Sequence, residues 1–328
     1  MAIEKNNICI VGSGSIATAL GNVLAAKGTL KVVLLSIEKA VVESINHSRK
    51  NFKYFPNQIL NEALSATTDK SVLKNAEIVF LAIPSVNTVD YVIQNINLIP
   101  ENAIIINLAK GFGNENKTIV DCLNEKMPNS VCSLKGPSFA REIINNLPTA
   151  MTFGAEDEKL FDVIENIFSD TNIYLDFSTD VKGVELLSIL KNIYAIAIGI
   201  ADAHFNSPNL RFMFLTRAFK EMKSINHQFG GRTETMFKYC GIGDFGLTAL
   251  NDLSRNRTLG LLIGKGFFSK DIPSKVLLEG RVSAQIFCDE ISKTNSLKNF
   301  HIISELYKVF NSDYDSSHFV SKLLEFRN

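Results

Sequence analysis

The sequence predicts an α/β protein, a doubly wound sheet followed by an all-α C-terminal domain, on three observations. Short apolar strands alternate with helical stretches from residue 7 to about 180. A glycine-rich turn joins the first strand to the first helix. From residue 182 onward the pattern is mainly helical. Strands alternating with helices imply a mostly parallel sheet, because a parallel neighbour is reached only through a long crossover. No Gly/Ser-rich or Pro-rich linker stands out, so the boundary is placed in a short connection near 180. The predicted domains are 1–180 and 181–328.

The first strand is NICIV, residues 7–11. Gly12-Ser13-Gly14-Ser15-Ile16-Ala17 follows, then a helical run closed by Gly28 and a second strand, LKVVLL, at 30–35. A G-x-G-x-x-A turn between a strand and a helix is the dinucleotide-binding fingerprint, which makes this domain Rossmann-like. Gly12 permits the tight turn and Gly14 lets the backbone approach a pyrophosphate. Ala17 keeps the helix close to the sheet, and the helix N-terminus faces the phosphate charge. The ribose end reads Ser36-Ile37-Glu38-Lys39. Glu38 is the nearest carboxylate, and no arginine stands there for a 2′-phosphate. NAD is slightly favoured over NADP.

The alternation continues. A helix at 38–47 leads into a loop with Tyr54, Phe55 and Pro56. Strands follow at 77–83 and 103–109, with a helix at about 86–97 between them. A helix at 117–126 precedes a strand at 130–134, then the helix FAREIINN, the strand-like TAMTFG and the strand IYLDFS. Ligands of such sheets bind beyond the carboxyl ends of the strands. Lys110, Gly136 and Ser138 stand at such ends and are candidate ligand contacts. They could equally be a solvated loop lysine and an ordinary turn with a helix start.

The totals exclude several classes. Formal net charge is zero and no Lys/Arg run stands out, which argues against nucleic acid as a partner. Cys9, Cys122, Cys132, Cys240 and Cys288 are far apart, which fits a reducing cytosol and predicts neither disulfide nor metal site. The N-terminus lacks the pattern of a signal peptide. The most apolar uninterrupted run, Ile193 to Ala201, is far shorter than the roughly 20 residues a bilayer requires. A soluble, cytoplasmic protein with no membrane span is expected.

Val184 to Asp202 reads as a buried helix whose polar and small residues share one arc: Glu185, Ser188, Lys191, Asn192, Ala195, Gly199 and Asp202. A lysine inside such a helix is costly to bury without a partner or a task. Lys191 therefore either lines an active site, or snorkels to solvent or pairs with Glu185 or Asp202. Gly199 and Ala195 suggest close packing of another helix, and Lys191 and Asn192 a cleft. Further on, Asp244 reads as an N-cap with Thr248 one turn along on the same face. Ser254, Arg255 and Asn256 gather donors at a helix start, a natural anion site.

Taken together, GSGSIATAL (12–20), LAIPS (81–85), NLAKGF (107–112), KGPSFAREI (135–143), LKNIYAIAIGIAD (190–202), GIGDFGLTALNDLSRNRTLG (241–260) and LLEG (277–280) resemble one family over nearly the whole chain. That family is the bacterial-type NAD(P)-dependent glycerol-3-phosphate dehydrogenases. The resemblance implies reversible reduction of dihydroxyacetone phosphate to sn-glycerol 3-phosphate, feeding glycerophospholipid synthesis, with NAD or NADP as cofactor. It implies Lys191 as the proton-transferring residue and Lys110 as a lysine near substrate and cofactor. Gly136, Ser138, Asp244, Ser254, Arg255 and Asn256 match substrate positions. Gly12, Gly14, Ser15, Ile16, Ala17, Lys110, Ala140, Arg255, Leu277 and Glu279 fall at cofactor positions. A homodimer is the assembly it suggests. The chain departs from the family in the segment after Asp202, which reads Ala203-His204-Phe205-Asn206-Ser207-Pro208 in place of a glycine-rich loop. A dehydrogenase for another small carbonyl compound, and a silent nucleotide-binding sensor, remain as alternatives.

Overall fold

The computed structural model describes residues 6–267, 274–293, 297–311 and 314–326. The chain divides into two compact units, Met1–Glu185 and Leu186–Asn328.

The first unit is built on an eight-stranded sheet: β1 (Asn6–Val11), β2 (Leu30–Leu35), β3 (Leu64–Thr67), β4 (Ile78–Leu81), β5 (Ile104–Asn107), β6 (Val131–Lys135), β7 (Thr149–Gly154) and β8 (Ile173–Ser178). Their order is β3-β2-β1-β4-β5-β6-β7-β8. All neighbours are parallel except β6 and β7, which run antiparallel. The order reverses at β1, which places a crevice at its carboxyl end, where sheets of this kind bind ligands. The unit's helices are α1 (Ser15–Ala26), α2 (Lys39–Ser48), α3 (Ser85–Gln94), α4 (Ile119–Asn124), α5 (Ala140–Ile144) and α6 (Lys159–Phe168).

Both faces of the centre of the sheet are covered, so β4 (IVFL) is apolar throughout, and the inner residues of β1 and β5 show no in–out alternation of polarity. Ile8 and Ile10 of β1 enter one core cluster with α1 residues Ala17, Leu20 and Leu24. Cys9 and Val11 enter another, with Val89, Val92, Ile119 and Leu123 from α3 and α4. The period-two geometry of a strand divides the residues this way.

The structure adds one strand between α2 and β4, where the pattern predicts none. β3 is only LSAT, four residues of which two are polar, and it lies at the sheet edge against β2. The FAREIINN helix is shorter than expected, being α5 alone.

The division between units falls inside α7 (Val181–His204). This helix begins earlier than Val184, because Asp180 Oδ1 accepts the Gly183 amide at 3.0 Å in the manner of an N-cap. It also outruns the nine-residue apolar stretch. By length and composition it could cross a membrane, its most apolar 18-residue window having a mean hydropathy of 1.7, but that window is wholly buried inside the protein. It is a core helix.

The second unit continues with α8 (Pro208–Gln228), α9 (Asp244–Leu250), α10 (Arg255–Gly264), α11 (Ser274–Ser292), α12 (His301–Asn311) and α13 (Ser317–Glu325). The segment read as a loop after Asp202 shrinks to Phe205–Asn206–Ser207. Ser207 accepts the Leu210 amide, and Pro208 opens α8 at a position where its missing N–H costs nothing. The small residues of α7 mark a close crossing, as the sequence suggested. A Cβ on Gly199 would lie 2.3 Å from the Arg257 carbonyl oxygen, and one on Gly260 of α10 would lie 2.1 Å from that of Ile196.

Candidate active site

In the first unit the chain turns from β1 into α1 at Gly12, whose φ of +119° is a conformation that glycine adopts readily. A Cβ there would also lie 2.6 Å from the Ala82 carbonyl oxygen. Gly14 is different, since a Cβ on it would meet nothing within 4 Å. It caps α1 with no side chain bonded to the free amides, and no acidic residue occupies the first turn. Free amides, the positive end of the helix dipole and open space suit the pyrophosphate of a dinucleotide. Ser15 is exposed, Ile16 half-buried and Ala17 buried against the sheet. The turn is stiffened from behind, where Asn51 donates to the Ser13 carbonyl and to Thr18 Oγ1, each at 2.9 Å.

Glu38 lies past the end of β2 and its carboxylate is 2.5 Å from Lys53 Nζ. That pair is half exposed, in a place suited to a ribose but not committed to one. Ile37 beside it is 91% exposed. Ala140 opens α5 and packs against the same core cluster as Ala17.

Lys110 follows β5, half-buried, and its Nζ reaches the Gly136 carbonyl at 3.3 Å. Ser138 Oγ donates to the same carbonyl at 2.9 Å. Lys110, Gly136 and Ser138 therefore come together around one oxygen. The glycine itself has a packing reason, since a Cβ on Gly136 would sit 2.6 Å from the Ala150 carbonyl oxygen on β7.

In the second unit Lys191 is 5% exposed. Its Nζ lies 2.7 Å from Asp244 Oδ1 and 2.7 Å from Thr248 Oγ1, and the threonine hydroxyl faces the same carboxylate oxygen at 3.4 Å. The lysine thus does not snorkel, and it meets two partners on α9. Asp202 is taken by Arg257 and by Arg211, the latter at 2.8 Å, while Glu185 pairs with Lys135. Asp244 is likewise not the cap that its sequence context suggested. Gly243 precedes α9 after a turn of π-helix at Tyr239–Gly243, and the Asp244 side chain points to the lysine instead. The carboxylate and the hydroxyl give the buried ammonium two hydrogen-bond partners in a water-poor site.

Ser254 caps α10, accepting the Arg257 amide at 3.3 Å. Arg255 is exposed and Asn256 half-buried. Arg257, buried behind them, ties the start of α10 to Asp202 and to Asp252. Arg255 and the first amides of α10 form an anion-facing surface on a fixed base. Leu277 and Glu279 fall within α11, but their side chains lie outside the described residues. Sequence reasoning did not single out Lys135 or Arg257 as site-supporting residues. Each is explained locally as a turn lysine or an exposed arginine, and only the fold supplies its buried partner. Thr248 had a signal, the four-residue spacing from Asp244.

Two family profiles match the chain in succession. One, described as the N-terminus of NAD-dependent glycerol-3-phosphate dehydrogenase, covers residues 7–161. The other, described as its C-terminus, covers 180–321. A Halothermothrix orenii protein named glycerol-3-phosphate dehydrogenase, NAD(P)+, is 33% identical over 325 residues, or 98% of this chain and 95% of the relative. One of the same name from Methanothermobacter thermautotrophicus is 38% identical over 79% of this chain and 80% of its own. The crystal structure of a Coxiella burnetii glycerol-3-phosphate dehydrogenase superposes with a TM-score of 0.88 at 29% identity, covering 98% of this chain and 99% of that one. A turn shaped for a dinucleotide, a buried lysine held by a carboxylate, and relatives that span the chain lead to one assignment: this protein belongs to the NAD-dependent glycerol-3-phosphate dehydrogenase family.

Proposed function

We propose that the protein reversibly reduces dihydroxyacetone phosphate to sn-glycerol 3-phosphate with NAD or NADP, Lys191 donating the proton and taking it back in reverse. The observation that carries this reading is the buried Lys191–Asp244–Thr248 cluster in a chain of this family. Residues 1–180 would serve the dinucleotide and 181–328 the substrate and the proton. As a soluble cytoplasmic enzyme it would feed glycerophospholipid synthesis.

The nicotinamide cofactor, when bound, supplies the hydride. Gly12, Gly14, Ser15, Ile16 and Ala17 would hold its pyrophosphate, with Ala140 close by. As the carbonyl carbon of the substrate is reduced, its oxygen gains negative charge and takes the proton from Lys191 Nζ. Asp244 and Thr248 fix the direction of that N–H and hold the ammonium until it is used. Lys110 adds a second positive charge for the developing alkoxide, while Gly136 and Ser138 shape its surroundings. Arg255, with Ser254 and Asn256, suits the phosphate dianion by charge and by fork geometry. Near the ribose, Glu38 and the lack of an arginine favour NAD.

The test is a steady-state assay of the purified protein on dihydroxyacetone phosphate, with NADH and NADPH compared. Oxidation of either is expected, and faster with NADH. Lys191→Met should lose about a thousandfold or more in kcat, the size of an acid/base contribution plus a charge contribution, while still binding NADH. Turnover close to wild type in that variant would remove Lys191 from the proton-transfer role.

A further inference from the structure

The first unit contains a second lysine–carboxylate pair, apart from every residue assigned above to substrate or cofactor. Lys135, the last residue of β6, and Glu185, in the opening turns of α7, are 0% and 1% exposed, with Nζ and Oε1 3.0 Å apart. The Glu185 carboxylate also accepts the Ser133 hydroxyl and both contacts of the Asn107 amide, at 2.9 and 3.0 Å. Lys135 Nζ donates to the Asn107 carbonyl at 2.9 Å. Asn107 passes the constraint on, since its Oδ1 accepts the Ala109 amide at 2.9 Å.

Such a pair is a poor device for stability alone. The desolvation of two charges offsets most of their attraction, and apolar residues of like volume commonly serve as well. What a fully bonded buried pair does supply is geometry, because each group has few arrangements that satisfy it. Here the geometry concerns two turns. Residues 107–109 are held from both backbone and side chain, directly before Lys110. Lys135 directly precedes Gly136, whose carbonyl receives Lys110 Nζ.

We propose that Lys135 and Glu185 are positioning residues for the reaction, bracing the 107–111 turn so that Lys110 meets the substrate carbonyl. This rests on the activity proposed above. Neither residue touches substrate or cofactor; both act through Lys110.

The test is the neutral pair Lys135→Met/Glu185→Gln, in which no buried charge is left without its partner. Its melting temperature and saturable NADH binding should stay close to wild type. Its kcat on dihydroxyacetone phosphate should fall about 10- to 100-fold, the cost of misplacing a transition-state contact by a fraction of an ångström to an ångström. In a Lys110→Ala background the same pair should change kcat less than about threefold, because groups acting through one another are not additive. A purely structural role predicts wild-type turnover in the neutral pair, and independent action predicts the full loss in both backgrounds; either result overturns the proposal. Hydrogen exchange needs no turnover and reads the brace itself. The amides of 109–111 should exchange about tenfold faster or more in the variant, with β1 and β2 amides unchanged. Unchanged exchange at 109–111 overturns the brace. If the double variant does not fold, Glu185→Gln alone is measured the same way. A wild type inactive on dihydroxyacetone phosphate strikes the proposed activity, and the exchange comparison still decides the brace.

Discussion

Lys191 has its nearest acidic neighbours in sequence on its own helix, yet Glu185 holds Lys135 and Asp202 holds two arginines, while Asp244 of α9 meets the Lys191 ammonium. The sequence made the lysine conspicuous because an ammonium in the middle of an apolar helix needs an explanation. It could not name the partner, since Asp244 is 53 positions away and reads just as well as a helix cap. Arg255 poses the opposite case. It is exposed beside the capping Ser254, while Arg257, two residues on, is buried and bonded to Asp202. Of these two arginines Arg255 is the exposed one, and the proposed phosphate contact falls to it. Arg255→Ala should therefore raise KM for dihydroxyacetone phosphate about 10- to 100-fold, the worth of a charged hydrogen bond, with melting temperature unchanged. An unchanged KM would point to a substrate without phosphate. Arg257→Ala should instead lower the melting temperature, because it strips a buried carboxylate of the more buried of its two arginine partners.

Elements were legible where the physics is local. An apolar strand followed by a glycine-rich turn and a helix identifies itself, and β1, β2, β4 and β5 stand close to where the alternation puts them. β3 escaped because four residues with two polar positions carry too little pattern, and β2 supplies its pairing. The antiparallel entry of β7 depends on a chain reversal that no periodicity records. The crossing of α7 with α10 was half legible: small residues on α7 announced it, but not which helix would fill the space. This crossing yields a paired prediction. Gly260→Ala should destabilise by about 1–3 kcal/mol, since the added methyl meets backbone and not a yielding side chain. Gly246→Ala, in α9 with nothing within 4 Å of the new carbon, should stabilise by about 0.5 kcal/mol. Denaturant melts of the two variants would read the difference, and equal effects would refute the packing argument.

For the molecule as a whole, the pH dependence of stability is set in part by Glu221 on α8. Its carboxylate accepts the Ile302 amide at 2.9 Å and the Tyr194 hydroxyl at 3.0 Å, and burial pushes it from 4.5 up to about 7. Arg217 and Lys220 from its own helix, and His301 from α12, line the same small cavity. Between those two pKa values the folded protein binds more protons than the unfolded chain. Stability due to this group is therefore full below about 4.5 and is lost as pH rises through about 7. His301, pushed down chiefly by burial, contributes in the opposite sense. Melting curves from pH 4.5 to 8 should show Glu221→Gln losing the wild-type decline, and an identical decline in the variant would assign it elsewhere. The cysteines give the whole molecule a second property. All five are free and buried, and burial pushes Cys9, Cys132 and Cys288 up to about 12 and raises Cys122 as well, so these four do not stand ready as thiolates.

The helix that carries Lys191 opens within the first unit. Val181 belongs to that unit's core, Val184 packs on Gly154, and Glu185 neutralises Lys135. A gene fusion or recombination event joined at residue 180 would deliver a nucleotide-binding sheet with an uncovered apolar patch and a buried ammonium stripped of its glutamate. The smallest inheritable version of that sheet therefore includes the beginning of α7. Exchange of the two units between relatives is constrained at this seam: a sheet with a lysine at 135 requires a helix with an acid at 185, and the two positions should travel as a pair.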